Sequence, residues 1–386
     1  MIKVAVGHSE EVDSLDAVEA VLKMCQEDLG GLLPQAGILY TAIEYEHPVI
    51  LNRIMDCYPQ LELIGCTTDG EISSKIGFDE DSITLMLFYA DCVEIKAGCG
   101  RKLLAGTQTT VKTAVDSAKS ELKKKPAFCL SLAESITVGG VAILEALKRE
   151  LGTDFPIFGA LAADQWSMKK TYQFYKREVL TDSVEVLLFA GPILFSSGIA
   201  NGWTPIGHKK RITKVDHNRV FEADGEPIVD FYNRYVGGNY SRVPTEYPLA
   251  IFPDKASNRF YIRGPYTFDQ EDKSITFFGD VPSNVTVQLA SGSQDKMSQA
   301  SRHALKEAID AYPGKQPAAA MVFTCSLRKS ILGVHVAKEY EYLQQTMPEG
   351  FPFNGICAYG EIAPLENGKE SYFHNGTIAV VLVGEE

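Results

Sequence analysis

One pattern, written three times along the chain, constrains its fold more than any other feature. Each copy opens with a short apolar strand that ends in glycine: Ile2-Lys-Val-Ala-Val-Gly7, Val93-Glu-Ile-Lys-Ala-Gly98 and Val285-Thr-Val-Gln-Leu-Ala-Ser-Gly292. A helical stripe follows each time, with apolar residues recurring at three and four positions. In the first copy the stripe is Leu15, Val18, Val21, Leu22, Cys25 and Leu29, with Ser14 as its expected cap. Val111, Ala114, Val115, Ala118 and Leu122 repeat it, as do Met297, Ala300, Ala304, Leu305 and Ala308. A second buried strand comes next in each copy (36–41, 127–132 and 320–325), and strand, helix, strand in that order implies a parallel crossover. A second helix then leads to a third strand that stops at Gly65, Gly159 or Gly355. The text after these glycines is Cys66-Thr-Thr-Asp-Gly-Glu71, Ala160-Leu-Ala-Ala-Asp164 and Ile356-Cys-Ala-Tyr-Gly-Glu361, and closing strands start at Ser82, Ser183 and Thr377.

Between the second and third copies, residues 191–284 change character. Glycines 198, 202 and 207 and a turn signal at Asp224-Gly225 precede a helix-like piece ending at Gly237-Gly238, and then short alternating strands. The expected fold class is therefore α/β, of the mixed α+β kind: three repeats of a β-α-β-α-β-β unit in two domains, with an antiparallel β-rich insertion before the third repeat. The expected domains are 1–190, with repeats at 1–90 and 91–190, and 191–386, made of the insertion 191–284 and the third repeat 285–386. A chain of 386 residues that is 45% hydrophobic can fill such cores.

Fifty acidic against 37 basic residues give a net charge of -13, which repels a phosphate backbone or an anionic lipid surface, so neither nucleic acid nor membrane is an expected partner. No run of about 18 apolar residues spans a bilayer, and the N-terminus enters a strand without a signal-peptide pattern, so a cytoplasmic location is expected. The eight cysteines are scattered without C-x-x-C spacing, and no Walker, G-x-G-x-x-G, H-E-x-x-H or G-x-S-x-G text occurs. No cofactor and no metal are expected.

Four stretches carry a family resemblance: Gly202-Trp-Thr-Pro-Ile-Gly207, Phe221-Glu-Ala-Asp-Gly-Glu-Pro227 with Tyr232 and Tyr235, Phe323-Thr-Cys-Ser-Leu-Arg328, and Pro352 to Ile362 followed by His374-Asn-Gly-Thr377. Together with Gly65-Cys-Thr-Thr-Asp-Gly-Glu71 they resemble the FIST proteins, N-terminal and C-terminal domains in one stand-alone chain. The resemblance implies a sensory domain that binds a small molecule, an amino acid being the candidate proposed for the family, and relays to a signalling protein partner. It implies no reaction.

The residues themselves offer a ligand site on the glycine loops, because backbone amides at a strand-to-glycine turn can approach an anionic group. The candidate residues are Gly65, Cys66, Thr67, Thr68 and Glu71 on the first loop, and Asn354, Gly355, Tyr359, Gly360 and Glu361 on the third. A glutamate at the same place in two copies would receive a ligand ammonium, or else bond within its own hairpin. Arg328, read as a strand end, would clamp a carboxylate or make a structural ion pair. Cys325 is a thiol near that cation or a small buried hydrophobe, and with His374 and Asn375 it would make a Cys-His-Asn enzyme. Dense aromatics from Tyr232 to Phe268, Tyr240 among them, leave open a third reading, a pure protein-interaction module.

Overall fold

In the computed structural model, residues 1–237, 245–253 and 259–385 are described; Gly238 and Tyr240 lie outside them. The expected class is borne out: mixed sheets flanked by helices, in three repeated units with an antiparallel insertion. The first unit runs β1 (Ile2–Ser9), α1 (Ser14–Leu29), β2 (Ala36–Thr41), α2 (His47–Cys57), β3 (Glu62–Thr67), a hairpin of β4 (Glu71–Ser73) and β5 (Gly77–Asp79), and β6 (Ile83–Ala90). The second runs β7 (Glu94–Arg101), α3 (Thr107–Ser120), β8 (Pro126–Ala133), α4 (Gly140–Leu151), β9 (Ile157–Leu161), the hairpin β10 (Gln173–Tyr175) and β11 (Glu178–Leu180), and β12 (Ser183–Ala190).

The third unit begins earlier than the sequence pattern indicates. Its edge strand is β13 (Leu194–Ala200), which borders the third sheet as β1 and β7 border the first two. The insertion then follows as β14 (Trp203–Asp216), β15 (Arg219–Ala223), β16 (Glu226–Pro227), α5 (Ile228–Val236), β17 (Leu249–Phe252), β18 (Tyr261–Arg263), β19 (Pro265–Asp269), β20 (Ser274–Phe277) and β21 (Thr286–Gly292). After it come α6 (Gln294–Asp310), β22 (Ala319–Cys325), α7 (Ser326–Leu332), α8 (Lys338–Thr346), β23 (Phe353–Ala358), the hairpin β24 (Glu361–Pro364) and β25 (Ser371–His374), and β26 (Ile378–Gly384). The strand at 286–292, expected to open the third copy, pairs instead with β14 and β17 of the insertion. A packing glycine marks the true equivalence. A Cβ on Gly7, Gly98 or Gly198 would lie 2.3, 1.9 and 1.9 Å from the Val21, Ala114 and Ala304 carbonyl oxygens, each on the helix covering its strand.

The sheets are joined by exchange. The first has the order β1-β6-β2-β3-β10-β11, the second β25-β24-β9-β8-β12-β7 and the third β13-β26-β22-β23-β4-β5. Each unit thus gives its hairpin to the sheet of another: the first to the third, the second to the first, and the third to the second. Within each sheet β2–β3, β8–β9 and β22–β23 are the parallel pairs, as the crossovers require.

One face of each of these three sheets turns to a shared core, where Tyr40 and Ile64 meet Leu132, Phe158, Phe323 and Ile356. Full burial of side chains of this size contributes roughly 1.5–3 kcal/mol each. The other faces are covered by α1 and α2, by α3 and α4, and by α6 and α8. The predicted stripes supply these contacts with one exception: Leu15 is exposed. The cap of α1 is Asp13 rather than Ser14, its carboxylate accepting from the Leu15 and Asp16 amides at 2.9 and 3.0 Å. The Ser14 hydroxyl instead accepts from the Glu46 amide.

Candidate functional site

The glycine loops do meet, but through their own backbones. The Asp69 amide donates to the Cys357 carbonyl at 2.9 Å and the Cys357 amide to Gly70 at 2.8 Å; Tyr359 donates to Leu161, Leu161 to Gly360, and Ala163 to Thr67. First, second and third loops are bonded in a ring, so these amides are taken and do not form the expected anion nest. Gly65, Gly159 and Gly355 are explained by close approach, since a Cβ would stand 2.2, 1.8 and 2.2 Å from the carbonyl oxygen of the parallel neighbour strand. A side chain on Gly360 would strike the Phe373 ring.

Glu71 and Glu361 hold one register position in their exchanged hairpins, opposite Ile356 and Ala160. The third holder is Gln173, opposite Cys66, which the sequence hid behind a longer loop. Each is bonded by the residue opening its own unit's closing strand. The Ser82 hydroxyl donates to Glu71 Oε2 at 2.7 Å, the Ser183 hydroxyl to Gln173 Oε1 at 3.3 Å, and the Thr377 amide to Glu361 Oε2 at 3.3 Å. The Thr68 hydroxyl donates to the other Glu71 oxygen, so Glu71 is fully bonded within its own unit. Burial pushes its carboxyl up to about 8. Thr67 is bonded to Tyr172, and Cys66 is enclosed with its thiol raised by burial.

Arg328 is not at a strand end. It lies in the first turn of α7, fully buried, ion-paired with Glu339 and donating to the carbonyls of Asn201 and Met297 at 2.7 and 2.9 Å and to the Ser301 hydroxyl at 3.0 Å. Those protein acceptors take the terminal nitrogens that a ligand carboxylate would need. Asn354 is buried on the Met321 side of its strand, with neither side-chain atom bonded to protein.

Cys325, Tyr359 and Asn375 do come together, lining a small chamber with Trp166, Phe278 and Leu327. The Cys325 thiol neighbours the Glu361 carboxyl, and burial raises both groups. His374 is turned elsewhere: its Nε2 donates to the Ala363 carbonyl at 2.9 Å, and burial lowers its pKa to about 3. A neutral thiol and a histidine bonded away from it do not make the nucleophile and base of the Cys-His-Asn arrangement.

A groove of about 730 Å³ lies on the third unit. Its apolar lining comes from Ala200 at the end of β13, Trp203 of β14, Phe260, Ala300 of α6 and Leu365. Lys296 and His303 stand exposed on α6 at its edge, with Arg259 close by in ion pairs to Glu307 and Glu366 at 3.1 and 3.3 Å. His374 and Thr377 also line it. Two of the sequence motifs, Gly202-Trp203 and His374-Asn-Gly-Thr377, therefore meet at its wall, tied by the Trp203 indole donating to the Gly376 carbonyl at 2.8 Å. Sequence reading missed Lys296 and His303, which carry no motif and reach the groove by helix geometry. Among the described residues no cluster of three or more His, Cys, Asp or Glu side chains is placed to hold a metal ion, and no helix is long and apolar enough to cross a membrane.

The fold is thus a ring of hairpin-exchanged α/β units with a groove on the third unit. Residues 35–226 match the FIST N domain and residues 229–364 the FIST C domain, and the chain belongs to the FIST family, whose domains are sensory modules of signal transduction rather than enzymes. An uncharacterized protein of Methanocaldococcus jannaschii is 29% identical over 230 residues, 57% of this chain and 44% of that protein, so the match spans less than half of the relative's length. Among solved structures, a cyanuric acid hydrolase from A. caulinodans aligns with a TM-score of 0.43 at 8% identity, covering 100% of this chain and 99% of that one. A second cyanuric acid hydrolase structure aligns at 0.38 and 8%, with 100% of each chain covered. At these scores the likeness carries no argument about activity.

Proposed function

We propose that this chain senses a small zwitterionic metabolite of amino-acid size in the groove on the third unit and passes the signal to a protein partner. The observation that carries this is the makeup of the groove, whose volume of about 730 Å³ falls in the range of small-molecule sites. Lys296 and His303 would receive the carboxylate, and Trp203, Phe260 and Ala300 an apolar side chain, while Glu307 and Glu366 of the adjoining depression, which shares Arg259 and His303 with the groove, would receive the ammonium. The His374 side of the groove supplies a route for the signal. His374 and Leu365 belong to the β24–β25 hairpin region, which is built into the second sheet, so a ligand held there bridges the 191–386 part of the chain to the 1–190 part. We take the relative placement of those two parts as what the partner reads.

The test is a thermal-shift screen of the purified protein against the common amino acids. A ligand at 100 times its dissociation constant stabilises by about 2.7 kcal/mol, a readily measured rise in Tm. The expected hit is lost in Lys296→Ala and in Ala300→Trp, which fills the groove. A screen without hits, or a hit indifferent to both substitutions, sinks the reading. The pure interaction module is less well supported, because Tyr232, Phe252 and Tyr261 are buried in packing and, among the described residues of that aromatic set, only Tyr235 and Tyr266 are exposed.

A further inference from the structure

The chamber walled by Cys325, Leu327 and Asn375 is separate from the groove and differs from it in chemistry. Asn375 is 1% exposed, yet neither its Oδ1 nor its Nδ2 has a protein partner. Such a group costs free energy unless something bonds it, because burial strips its water without replacing the hydrogen bonds. Asn375 is one of the residues around a space of about 10 Å³, roughly the room one water needs. The roof of that space is aromatic. The Trp166 ring lies 5.7 Å from Tyr359, tilted against it, and 6.2 Å from Phe278, edge-on.

The roof is also the strained part of its loop. Gln165, Trp166 and Met168 all take left-handed backbone, with φ of 51°, 61° and 50°, a conformation that costs non-glycine residues and persists where surroundings impose it. Here the base of the loop is what imposes it. The Asp164 carboxylate accepts from the Met168, Lys169 and Lys170 amides at 2.9, 2.7 and 3.0 Å, and the Tyr359 hydroxyl accepts from the Trp166 amide and donates to Asp164, both at 2.6 Å. Trp166 is 38% exposed, its ring packs on Tyr359 and Phe278, and the anchoring bonds go to its backbone rather than its indole. It can swing without breaking the anchoring bonds.

We propose that this chamber is a second binding site, opened when Trp166 swings outward, for a flat, uncharged molecule bearing a donor and an acceptor side by side, as in a primary carboxamide or a lactam. Asn375 offers the complementary acceptor and donor, so such a group makes two parallel hydrogen bonds with it. Phe278, Tyr359 and Trp166 supply ring faces for a flat body. No lysine or arginine lines the chamber, and a carboxylate would enter it uncompensated. The Ser326 hydroxyl is occupied with the Ala358 carbonyl, so selection falls to Asn375.

The chain has two tryptophans, so its indole N–H resonances are two, and Trp166→Phe identifies the one that belongs to the roof. Benzamide is the probe and benzoate its charged isostere. The expected result is a saturable shift of the Trp166 indole resonance with benzamide, at least tenfold weaker binding of benzoate, and loss of the benzamide response in Asn375→Leu with the remaining amide spectrum folded. Lys296→Ala, which disables the groove, is expected to leave the response intact, so this site and the groove can fail separately. No shift with benzamide overturns the proposal in favour of a structural water under a fixed roof. A shift that persists unchanged in Asn375→Leu overturns it in favour of adventitious stacking on an exposed indole.

Discussion

Glu71 and Glu361 stand at one register position of exchanged hairpins, yet Glu71 has both oxygens bonded within its unit while Glu361 leaves Oε1 without a partner. The same place in the architecture is a finished clasp in the first unit and, in the third, a carboxyl whose neighbour is the Cys325 thiol.

The Glu71 clasp has a pH signature. Its folded pKa of about 8 lies above the ordinary 4.5, as does that of Glu185, also about 8 and also through burial. A raised carboxyl binds its proton more tightly in the native state, so its stabilising contribution is complete below the ordinary pKa and is lost as pH rises through the folded one. His8 and His374, lowered to about 4 and about 3, act oppositely, their contribution falling away only as pH drops below the ordinary 6.5. Between pH 6.5 and 8 the carboxyls act without that opposition. Urea denaturation is expected to show stability declining across this window, by up to about 1.4 kcal/mol per pH unit for each such group. Glu71→Gln is expected to flatten the decline; an unchanged slope contradicts the assignment.

The reassigned edge strand of the third unit can be tested with two glycines. A Cβ at Gly198 would meet the Ala304 backbone at 1.9 Å, whereas at Gly292 the nearest atom is the terminal methyl of Met297 at 2.6 Å. Backbone cannot yield as a flexible side chain can. Gly198→Ala is expected to cost about 3 kcal/mol or more and Gly292→Ala about 1 kcal/mol, by chemical denaturation. Equal costs would argue that both strands pack alike.

Arg328→Met leaves Glu339 buried without its cation and is expected to cost about 3–5 kcal/mol at neutral pH. Pairing it with Glu339→Leu is expected to recover most of that loss. A ligand-binding arginine would behave differently, with single and double variants equally stable and equally deaf to ligand.

Thiol labelling separates the cysteine readings. Cys92 is exposed, whereas Cys325 is buried with its thiol pushed up by burial. An alkylating reagent at pH 8 is expected to modify Cys92 in the native protein and Cys325 only after denaturation, read by peptide mass spectrometry. Fast native labelling of Cys325 would revive the enzyme reading.

The helices and most strands were legible because their signals are local. The stripes at Val18–Cys25, Val111–Ala118 and Met297–Ala308 record which face meets a sheet, and the apolar runs at 36–41 and 320–325 record strands buried on both faces. The site was legible only in part. Cys325, Tyr359 and Asn375 do share a chamber, but Arg328 was misplaced because the helix signal of Ser326–Leu332 spans only 7 residues and abuts the strand without a break.

By itself the sequence determined the repeat, the number of units and the family, since periodicity and motif text need no partner to be read. Only the tertiary structure decided which sheet each hairpin joins, that Gln173 completes the set begun by Glu71 and Glu361, and that the third unit opens at Leu194 with the insertion set inside it. Those outcomes depend on register and on contacts between residues more than a hundred positions apart, and a strand's own residues specify its faces without naming the strand it will pair with.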